Sequence, residues 1–311
     1  MAVDFYDKWL SFWSESEEQR RKARKAISED ELQWVSTKQD KRVAILAGPE
    51  TGFYSMGGVI MLVEIPVGWR TGKCCGGELA MYILEGEGCS VVDGLRYDWE
   101  KGAAVWIPYG ATYQHYNTGN KLVRFVAANA VQLERSVGLA RIIQYESCSE
   151  IPRGEPKEPK EPSGILVDVG RIVLHSKDAP VRIVSAEEQK SGVHCHTRCV
   201  ELMGRAGTGF TAREVAITDI MCDNPIAKTG RHAPGHAHME AFIYVLKGRG
   251  YSIIEGEKIE WKKGTLLHVQ GPQTWHEHYN SGDEESQLMR IQFGIREFFY
   301  EKIASRTFPQ R

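Results

Sequence analysis

Two stretches of this chain repeat each other at a constant spacing. ELAMYILEGEG, which begins at Glu78, matches EAFIYVLKGRG, which begins at Glu240, at an offset of 162 residues, and LRYDWEKG matches EKIEWKKG at the same offset. After a one-residue insertion, YQHYNTG from Tyr113 matches HEHYNSG from His276. A repeat of this length indicates two copies of one supersecondary module. The chain is therefore expected to fold as two similar units.

Within the repeats, alternate residues have the pattern of half-buried strands. Tyr82 and Leu84 lie on one strand face, as do Tyr244 and Leu246 in the second copy. From about residue 40 onward, short runs rich in Val, Ile, Tyr and Trp are separated by Gly, Pro, Asn and Asp, which is typical of a sandwich or barrel. The 311 residues are enough for two domains. We predict an all-β fold.

Composition shifts mark the domain boundaries. Residues 151–164, IPRGEPKEPKEPSG, combine four prolines with alternating charge, a composition typical of an extended linker. Near the N-terminus, Phe5, Trp9, Phe12 and Trp13 recur at helical intervals and predict one or two amphipathic helices, whose aromatic face needs a sheet or a partner subunit to cover it. We predict a helical segment at 1–35, a barrel at 36–150, a linker at 151–164 and a second barrel at 165–311.

Charge and composition exclude several classes of protein. The 39 Lys and Arg residues nearly balance the 41 Asp and Glu residues, which gives no electrostatic footing for nucleic acid. No window reaches the roughly 18 apolar residues of a membrane span, and the N-terminus lacks the pattern of a signal peptide. The seven cysteines are odd in number and irregularly spaced, which favours reduced thiols. We expect a soluble cytoplasmic protein that binds neither nucleic acid nor membrane.

Histidines concentrate in the second half of the chain. Nine of the ten follow the linker, and only His115 precedes it. His236 and His238 stand two residues apart and therefore share a strand face, as do His276 and His278. Neutral imidazole is the commonest metal ligand, and two rings on one strand can bind one ion if a neighbouring strand supplies a third. The pattern predicts a metal site in the second barrel.

These residues resemble the cupin superfamily, whose first motif is a Gly, five residues and His-x-His, and whose second motif ends in His followed by Asn. Gly230 with His236 and His238 meets the first motif, and His276 with Asn280 meets the second. The resemblance covers residues from about 40 to 300 and implies a bicupin, with two double-stranded β-helix (jelly-roll) barrels. It also implies that His236, His238 and His276 are the metal ligands.

The chain departs from the cupin pattern at two places. Glu240 follows His238 by only two residues, and at about 3.3 Å per residue it lies too far along a straight strand from His236 to share a metal. We leave open whether Glu240 coordinates. The repeat offsets place Cys74, Gly76 and Tyr113 at the positions of the three histidines. We therefore expect the first barrel to lack the metal site and to serve as a scaffold, a lid or a dimer interface.

A second cluster of possible ligands precedes the metal motif. VHCHTRC contains His194, Cys195, His196 and Cys199, which have the ligand types for zinc but no second pair at suitable spacing. We interpret this segment as an entry strand or a rim of the site, and its role stays open.

Three neutral imidazoles leave the charge of a divalent ion uncompensated and, on octahedral Fe(II), three adjacent positions open. Such a site suits an anionic chelating substrate together with O2. Fe(II) is the metal we expect, although Zn, Mn or Ni would satisfy the same sequence. Trp275, His276, Glu277, His278 and Asn280 resemble the Trp-His-Asp-His-Gly-Asn element of the gentisate and salicylate 1,2-dioxygenases, which are iron-dependent bicupins.

That resemblance implies a role for His278, and position along the chain indicates two arginines that could bind a substrate. His278 takes the place of a histidine that assists with proton transfer, although its repeat partner His115 lies in a barrel without the triad and favours a structural role. The family's substrate-binding Asp has no counterpart here, and the better-known members of that family carry iron in the first barrel. Arg290 and Arg231 are the candidates for orienting a substrate carboxylate, with a surface arginine as the alternative for each.

Three functions remain open. The first is a non-haem Fe(II) dioxygenase that cleaves a small hydroxybenzoate-like aromatic or enolic acid. The second is an oxygen-independent metal cupin, an isomerase, lyase or hydrolase. The third is a cupin that binds a metabolite without catalysis, against which the open metal site argues. The aromatic helix and the sheet edges predict a homodimer or a higher homo-oligomer.

Overall fold

The structure is a computed structural model that describes residues 4–185, 187, 196–203, 207–229, 235–271 and 274–294. The first barrel has one six-stranded and one seven-stranded sheet. The second barrel has one seven-stranded and one four-stranded sheet. Both barrels are antiparallel throughout. The described part of the chain is thus predominantly β, as the sequence predicts.

The helices are few and short apart from the first. They are α1 (Phe5–Lys22), α2 (Val131–Ser136) and α3 (Ile226–Thr229), with single 3₁₀ turns at Glu29–Glu31 and Pro49–Thr51.

The strands up to residue 175 follow in chain order. They are β1 (Ala26–Ser28), β2 (Arg42–Ala47), β3 (Val59–Ile65), β4 (Trp69–Arg70), β5 (Lys73–Cys75), β6 (Leu79–Glu85), β7 (Glu87–Val92), β8 (Leu95–Glu100), β9 (Ala103–Ile107), β10 (Thr112–Tyr116), β11 (Val123–Asn129), β12 (Ile143–Glu146), β13 (Ser149–Glu150), β14 (Ile165–Leu166), β15 (Gly170–Arg171) and β16 (Val173–His175).

The remaining strands belong to the second barrel. They are β17 (Val181–Ile183), β18 (Arg198–Glu201), β19 (Val215–Asp223), β20 (His236–His238), β21 (Ala241–Lys247), β22 (Arg249–Ile254), β23 (Glu257–Lys262), β24 (Thr265–Val269), β25 (Thr274–Asn280) and β26 (Ser286–Phe293).

The sequence repeat corresponds to equivalent strands in the two barrels. β6, β7, β8 and β9 match β21, β22, β23 and β24 at the offset of 162, and their pairing is the same in both barrels. The hairpin between β7 and β8 turns at Asp93 and Gly94, and that between β22 and β23 turns at Glu255 and Gly256. All four residues have positive φ, as a two-residue turn of this kind requires.

Each barrel takes one strand from the other half of the chain. β1, which follows the N-terminal helix, pairs with β24 of the second barrel, and β16, which follows the linker, pairs with β9 of the first. Residues 151–164 contain no helix or strand and run beside β8, where Arg96 and Lys160 form an isolated bridge. The barrels are therefore joined by exchanged strands as well as by the chain between them.

One apolar core continues from the first barrel into the interface between the barrels. It includes Ile83 and Phe125 from the first barrel and Ile220, Phe242 and Phe293 from the second. A separate cluster fills the interior of the second barrel, with Cys199, Met221, Ile243, Val245 and Leu288 among its members. Because alternate residues of β26 face opposite ways, Leu288 and Arg290 point into that barrel and Met289 points toward the interface.

Helix α1 is a single helix that begins at an Asp4 N-cap, whose side chain accepts a hydrogen bond from the Tyr6 amide. Its far end is anchored, because buried Arg20 donates to the Gly271 carbonyl at 3.0 Å. Phe5, Trp9, Phe12 and Trp13 remain 50 to 67% exposed within the single chain. None of the helices in the described residues has the length and apolar character needed to cross a membrane.

Candidate metal centre

The predicted metal-binding histidines lie on two adjacent strands of the second barrel. β20 pairs antiparallel with β25, so that His236 stands directly opposite His276 and His238 stands opposite Thr274. The ring centroids of His236 and His276 are 4.4 Å apart. Gly235 allows this close approach of chains, because a Cβ there would lie 2.4 Å from the Trp275 ring. The sequence motif thus brings two histidines from distant segments together.

His276 has the protonation pattern of a metal ligand. Its ring is fully buried, and Nδ1 lies 2.9 Å from the Thr274 carbonyl oxygen. A carbonyl can only accept, so Nδ1–H donates and Nε2 of the neutral ring carries the lone pair. A backbone carbonyl that orients a ligating imidazole in this way is a common feature of metal sites.

The complete triad remains a prediction. The described side chains, which do not include that of His238, contain no group of three His, Cys, Asp or Glu residues with the geometry of a metal site. His236 and His276 fit a metal by donor type and proximity, and His238 is placed on the same strand as His236.

His278 is oriented by a chain of hydrogen bonds. Trp261 Nε1 lies 3.0 Å from Ser252 Oγ, and that oxygen lies 2.8 Å from His278 Nδ1. The indole can only donate, so the serine accepts from it and has its own hydrogen for Nδ1. Because the Ser252 hydroxyl has no other acceptor among the described residues, it donates to Nδ1, and Nε2 of His278 carries the ring proton. Burial, with nearby His276 and His196, holds the pKa of His278 well below its usual value, so the ring is neutral.

The first barrel contains the same chain of hydrogen bonds. Trp99 Nε1 lies 2.9 Å from Ser90 Oγ, which lies 2.8 Å from His115 Nδ1. Burial lowers the pKa of His115 to about 3. Asn117 and its repeat partner Asn280 also play the same part, each closing the turn after its strand by donating to two carbonyls and accepting one amide.

His196, which belongs to the segment that we interpreted as an entry strand or a rim of the site, lies beside His278. Its ring is nearly parallel to that of His278, with centroids 6.4 Å apart, and His278 in turn lies 5.3 Å from His276. His196 Nδ1 is 2.8 Å from Asp223 Oδ2, and the residue is only 6% exposed. Asp223 is 27 residues from His196 along the chain, so no local spacing in the sequence predicts that the two residues pair.

The rest of the VHCHTRC segment gives no zinc site in the described part of the chain. Cys199 is buried in the interior of the second barrel, where desolvation raises the pKa of its thiol. His194 and Cys195 lie outside the described residues. The six cysteines that the structure describes are free thiols, in agreement with the sequence.

Arg290 points into the second barrel and its side chain is only 14% exposed. Its Nη2 donates to the Asp219 carboxylate, and its Nε donates to Thr218 Oγ1 at 3.2 Å. Arg290 is close enough to His278 to lower its pKa. The surface alternative therefore does not apply to Arg290, whereas Arg231 lies outside the described residues.

Glu240 is held by groups other than a metal. Its two oxygens accept from the Met56 and Gly57 amides at 3.1 and 3.0 Å, and Oε1 lies 2.8 Å from His268 Nε2. The side chain is almost fully buried. Glu240 therefore joins the second barrel to the first.

Glu78, the repeat partner of Glu240, makes the reciprocal connection. Its carboxylate accepts hydrogen bonds from the amides of Arg213, Glu214 and Val215, which lie at the start of β19 in the second barrel. We call Glu78 and Glu240 the paired carboxylate clamps. Each carboxylate accepts hydrogen bonds from backbone amides of the opposite half of the chain.

At the positions that correspond to the metal ligands, the first barrel has a different set of side chains. Cys74 and Tyr113 share a hydrogen bond there, and burial raises the pKa of the Cys74 thiol to about 11. Neither group is a good ligand in its protonated form.

Comparisons with known proteins agree with this architecture. Residues 220–291 match the family model described as Cupin domain. The curated protein sequences include no match to this chain. A variant of the salicylate 1,2-dioxygenase from Pseudoaminobacter salicylatoxidans superimposes with a TM-score of 0.60 at 14% identity, covering 83% of this chain and 79% of that chain.

Two further solved structures are similar. The same dioxygenase as an adduct with gentisate has a TM-score of 0.59 at 13% identity and covers 94% of this chain and 81% of that chain. Bacillus subtilis oxalate decarboxylase, described with Mn(II) centres, has a TM-score of 0.59 at 11% identity and covers 88% of this chain and 77% of that chain.

Residues 220–291 of the second barrel therefore match a cupin domain, and the chain as a whole has the bicupin fold. The resemblance predicted from the histidine motifs is confirmed at the level of the fold. At 11 to 14% identity, the likeness to the dioxygenase and the decarboxylase concerns the fold alone.

Proposed function

We propose that this protein is a metal-dependent bicupin enzyme whose metal site is in the second barrel. His236, His238 and His276 would hold the ion. The observation that supports this most directly is the cross-strand pair of His236 and His276, with rings 4.4 Å apart and the Thr274 carbonyl fixing the tautomer of His276. A metal with three neutral ligands supplies Lewis acidity and open positions for an anionic substrate.

The reaction we propose is oxidative cleavage of a small hydroxybenzoate-like aromatic or enolic acid by an Fe(II) site. A three-histidine site lacks a protein carboxylate, so an anionic chelating substrate would balance the metal charge. The fold is similar to that of a salicylate 1,2-dioxygenase. Fe(II) would supply the electrons for dioxygen chemistry.

The protein groups around the metal would bind and orient this substrate. Arg290, itself positioned by Asp219 and Thr218, would pair with the substrate carboxylate from within the barrel. Neutral His278, with its proton on Nε2, would donate a hydrogen bond to a substrate oxygen. The aliphatic interior around Ile243, Val245 and Leu288 would exclude water from the reacting atoms.

A second candidate is an oxygen-independent enzyme that uses Mn or Zn. The similarity of the fold to an oxalate decarboxylase with Mn(II) centres favours it, since oxalate is also a small carboxylic acid. The three-histidine site would serve either chemistry, so only reactivity separates them. We propose in addition that the protein is cytoplasmic and homo-oligomeric, with the exposed aromatic face of α1 covered by another subunit.

The test is oxygen uptake by protein loaded anaerobically with Fe(II), with a panel of hydroxybenzoates, catechols and β-diketones. Metal content is measured on the same samples. We expect about one bound iron per chain and uptake with at least one hydroxybenzoate. His276→Ala should lose the iron and the uptake, whereas His175→Ala, a histidine on β16 outside the site, should keep both.

The outcomes separate the candidates. Iron bound without uptake for any compound would contradict the dioxygenase and favour the oxygen-independent enzyme. Iron content that is unchanged in His276→Ala would contradict the metal site itself.

A further inference from the structure

The internal repeat separates side chains that build a barrel from those that specify its chemistry. Strand pairing aligns β18 with β2, since Arg198 and Cys199 stand opposite Cys222 and Met221 as Arg42 and Val43 stand opposite Glu64 and Val63. Two residues before Arg198 is His196, and two residues before Arg42 is Asp40.

Four positions around the histidine site therefore differ between the barrels. His196, His236, His238 and His276 correspond to Asp40, Cys74, Gly76 and Tyr113. Arg290, Asp219 and Asp223 differ as well, since the strand pairing aligns them with Ala127, Met61 and Ile65. His278 with Ser252 and Trp261, in contrast, is the same in both barrels. His196 thus belongs with the metal-binding histidines among the residues that distinguish the second barrel.

The geometry of His196 gives it a definite protonation pattern. The Asp223 carboxylate can only accept, so His196 Nδ1–H donates to it across 2.8 Å, and in the neutral ring Nε2 is the nitrogen that carries the lone pair. Asp223 lies at the end of β19, where the Asn280 side chain donates to its backbone carbonyl at 2.8 Å. A buried His–Asp pair held in this way orients an imidazole to accept a proton and stabilises the cation that forms.

We propose that His196, oriented by Asp223, is the group that accepts the hydroxyl proton of the substrate when it binds in the second barrel. This inference rests on the proposed function, in which the substrate is a hydroxy acid that binds as a dianion. The substrate O–H bond breaks, its electron pair stays on the substrate oxygen, and the proton forms a bond to His196 Nε2. The imidazolium is then paired with the Asp223 carboxylate.

The neighbouring groups suit this assignment. His278 stacks on His196 but carries its proton on Nε2, so it donates rather than accepts. Arg290 stays charged and cannot take a proton. The titratable groups that face His196 in the described structure are Asp223 from β19, His278 from β25 and Cys199 from β18. The Asp223 carboxylate, as the hydrogen-bond partner of Nδ1, favours the imidazolium.

The proton balance of ligand binding tests the inference. We would titrate Zn(II)-loaded protein, which does not turn over, with gentisate at about pH 8, above the ordinary pKa of imidazole. Calorimetry in two buffers of different ionisation enthalpy gives the number of protons released. Wild-type protein should release almost no proton, because His196 retains it. His196→Gln should release about one proton per ligand and bind about 10-fold more weakly.

Two further variants complete the design. Asp223→Asn should behave like His196→Gln, since the imidazolium loses its counter-charge, and difference absorbance of the bound phenolate should still appear. His175→Gln, a control outside the site, should match wild type. His196→Gln and Asp223→Asn each keep a side chain of similar size. Bound Zn(II) is measured in each variant to show that the metal site is intact.

Each outcome decides one question. Equal proton release by wild type and His196→Gln, with gentisate bound to both, would overturn the role of His196 and leave the proposed function standing. Failure of gentisate to bind the wild-type protein, or binding as the protonated phenol, would overturn the hydroxy-acid substrate class and this inference together.

Discussion

The two barrels share a framework and differ at one site. Both keep the Trp–Ser–His chain of hydrogen bonds and the asparagine that closes the following turn. Only the second has histidines where the first has Cys74 and Tyr113. A residue found in both barrels is not by itself evidence of a catalytic role. By this comparison His278 belongs to the shared framework, although it also lines the site of the second barrel.

Substitutions at the interface between the barrels should have the largest effect on stability. They test whether Glu78 and Glu240 have equivalent roles. Glu240→Ala would leave the Met56 and Gly57 amides and His268 without their acceptor, and Glu78→Ala would do the same to three amides of the second barrel. We expect each change to lower the free energy of unfolding by about 3–5 kcal/mol. Urea denaturation measures it.

The exposed Glu85→Ala at the end of β6 is the control, with an expected change within about 0.5 kcal/mol. A loss below about 1 kcal/mol for either clamp would show that the paired carboxylate clamps do not hold the barrels together.

The clamps also show which parts of this structure can be predicted from the sequence and which cannot. The repeat predicted the equivalent strands, because strand alternation and turn glycines are local signals. The His-x-His spacing likewise predicted that His236 and His276 would meet. Nothing local indicated that Glu240 would bind the amides of Met56 and Gly57, since any backbone amide has the same chemistry and only the packing of the barrels selects those two.

The same limit explains the other differences. His196 and Asp223 are brought together by the pairing of β18 with β19, which a single sequence does not specify. The exchange of β1 and β16 between barrels was missed because three-residue strands carry almost no periodic signal.

Breaking the Trp–Ser–His chain of hydrogen bonds should have an intermediate effect on stability, and the effect should be similar in the two barrels. Ser252→Ala and Ser90→Ala each leave a buried indole N–H and a histidine Nδ1 unsatisfied. We expect each to reduce the free energy of unfolding by about 1–3 kcal/mol, measured by urea denaturation. Ser136→Ala, an exposed serine on α2, is the control. A cost confined to the second barrel would contradict a shared structural role.

The smallest effect comes from a difference in the surroundings of the two clamps. Glu240 meets His268, whereas Glu78 lies near two further carboxylates, Glu134 and Glu214. Burial, together with the charge and hydrogen bond of Glu214, raises the pKa of Glu134 to about 7 from its ordinary 4.5. The folded state therefore holds a proton on Glu134 at pH values where the unfolded chain has lost it.

Stability should consequently depend on pH on this side of the interface. The contribution of protonated Glu134 is fully present below the unfolded pKa of 4.5 and is lost as the pH rises through about 7. Glu134→Gln stays neutral and should remove about 1 kcal/mol of that fall, measured as the free energy of unfolding between about pH 5 and 8. The exposed Glu85→Gln should keep the wild-type slope. An unchanged slope in Glu134→Gln would mean that Glu134 is ionised in the folded protein and that the two clamps respond alike to pH.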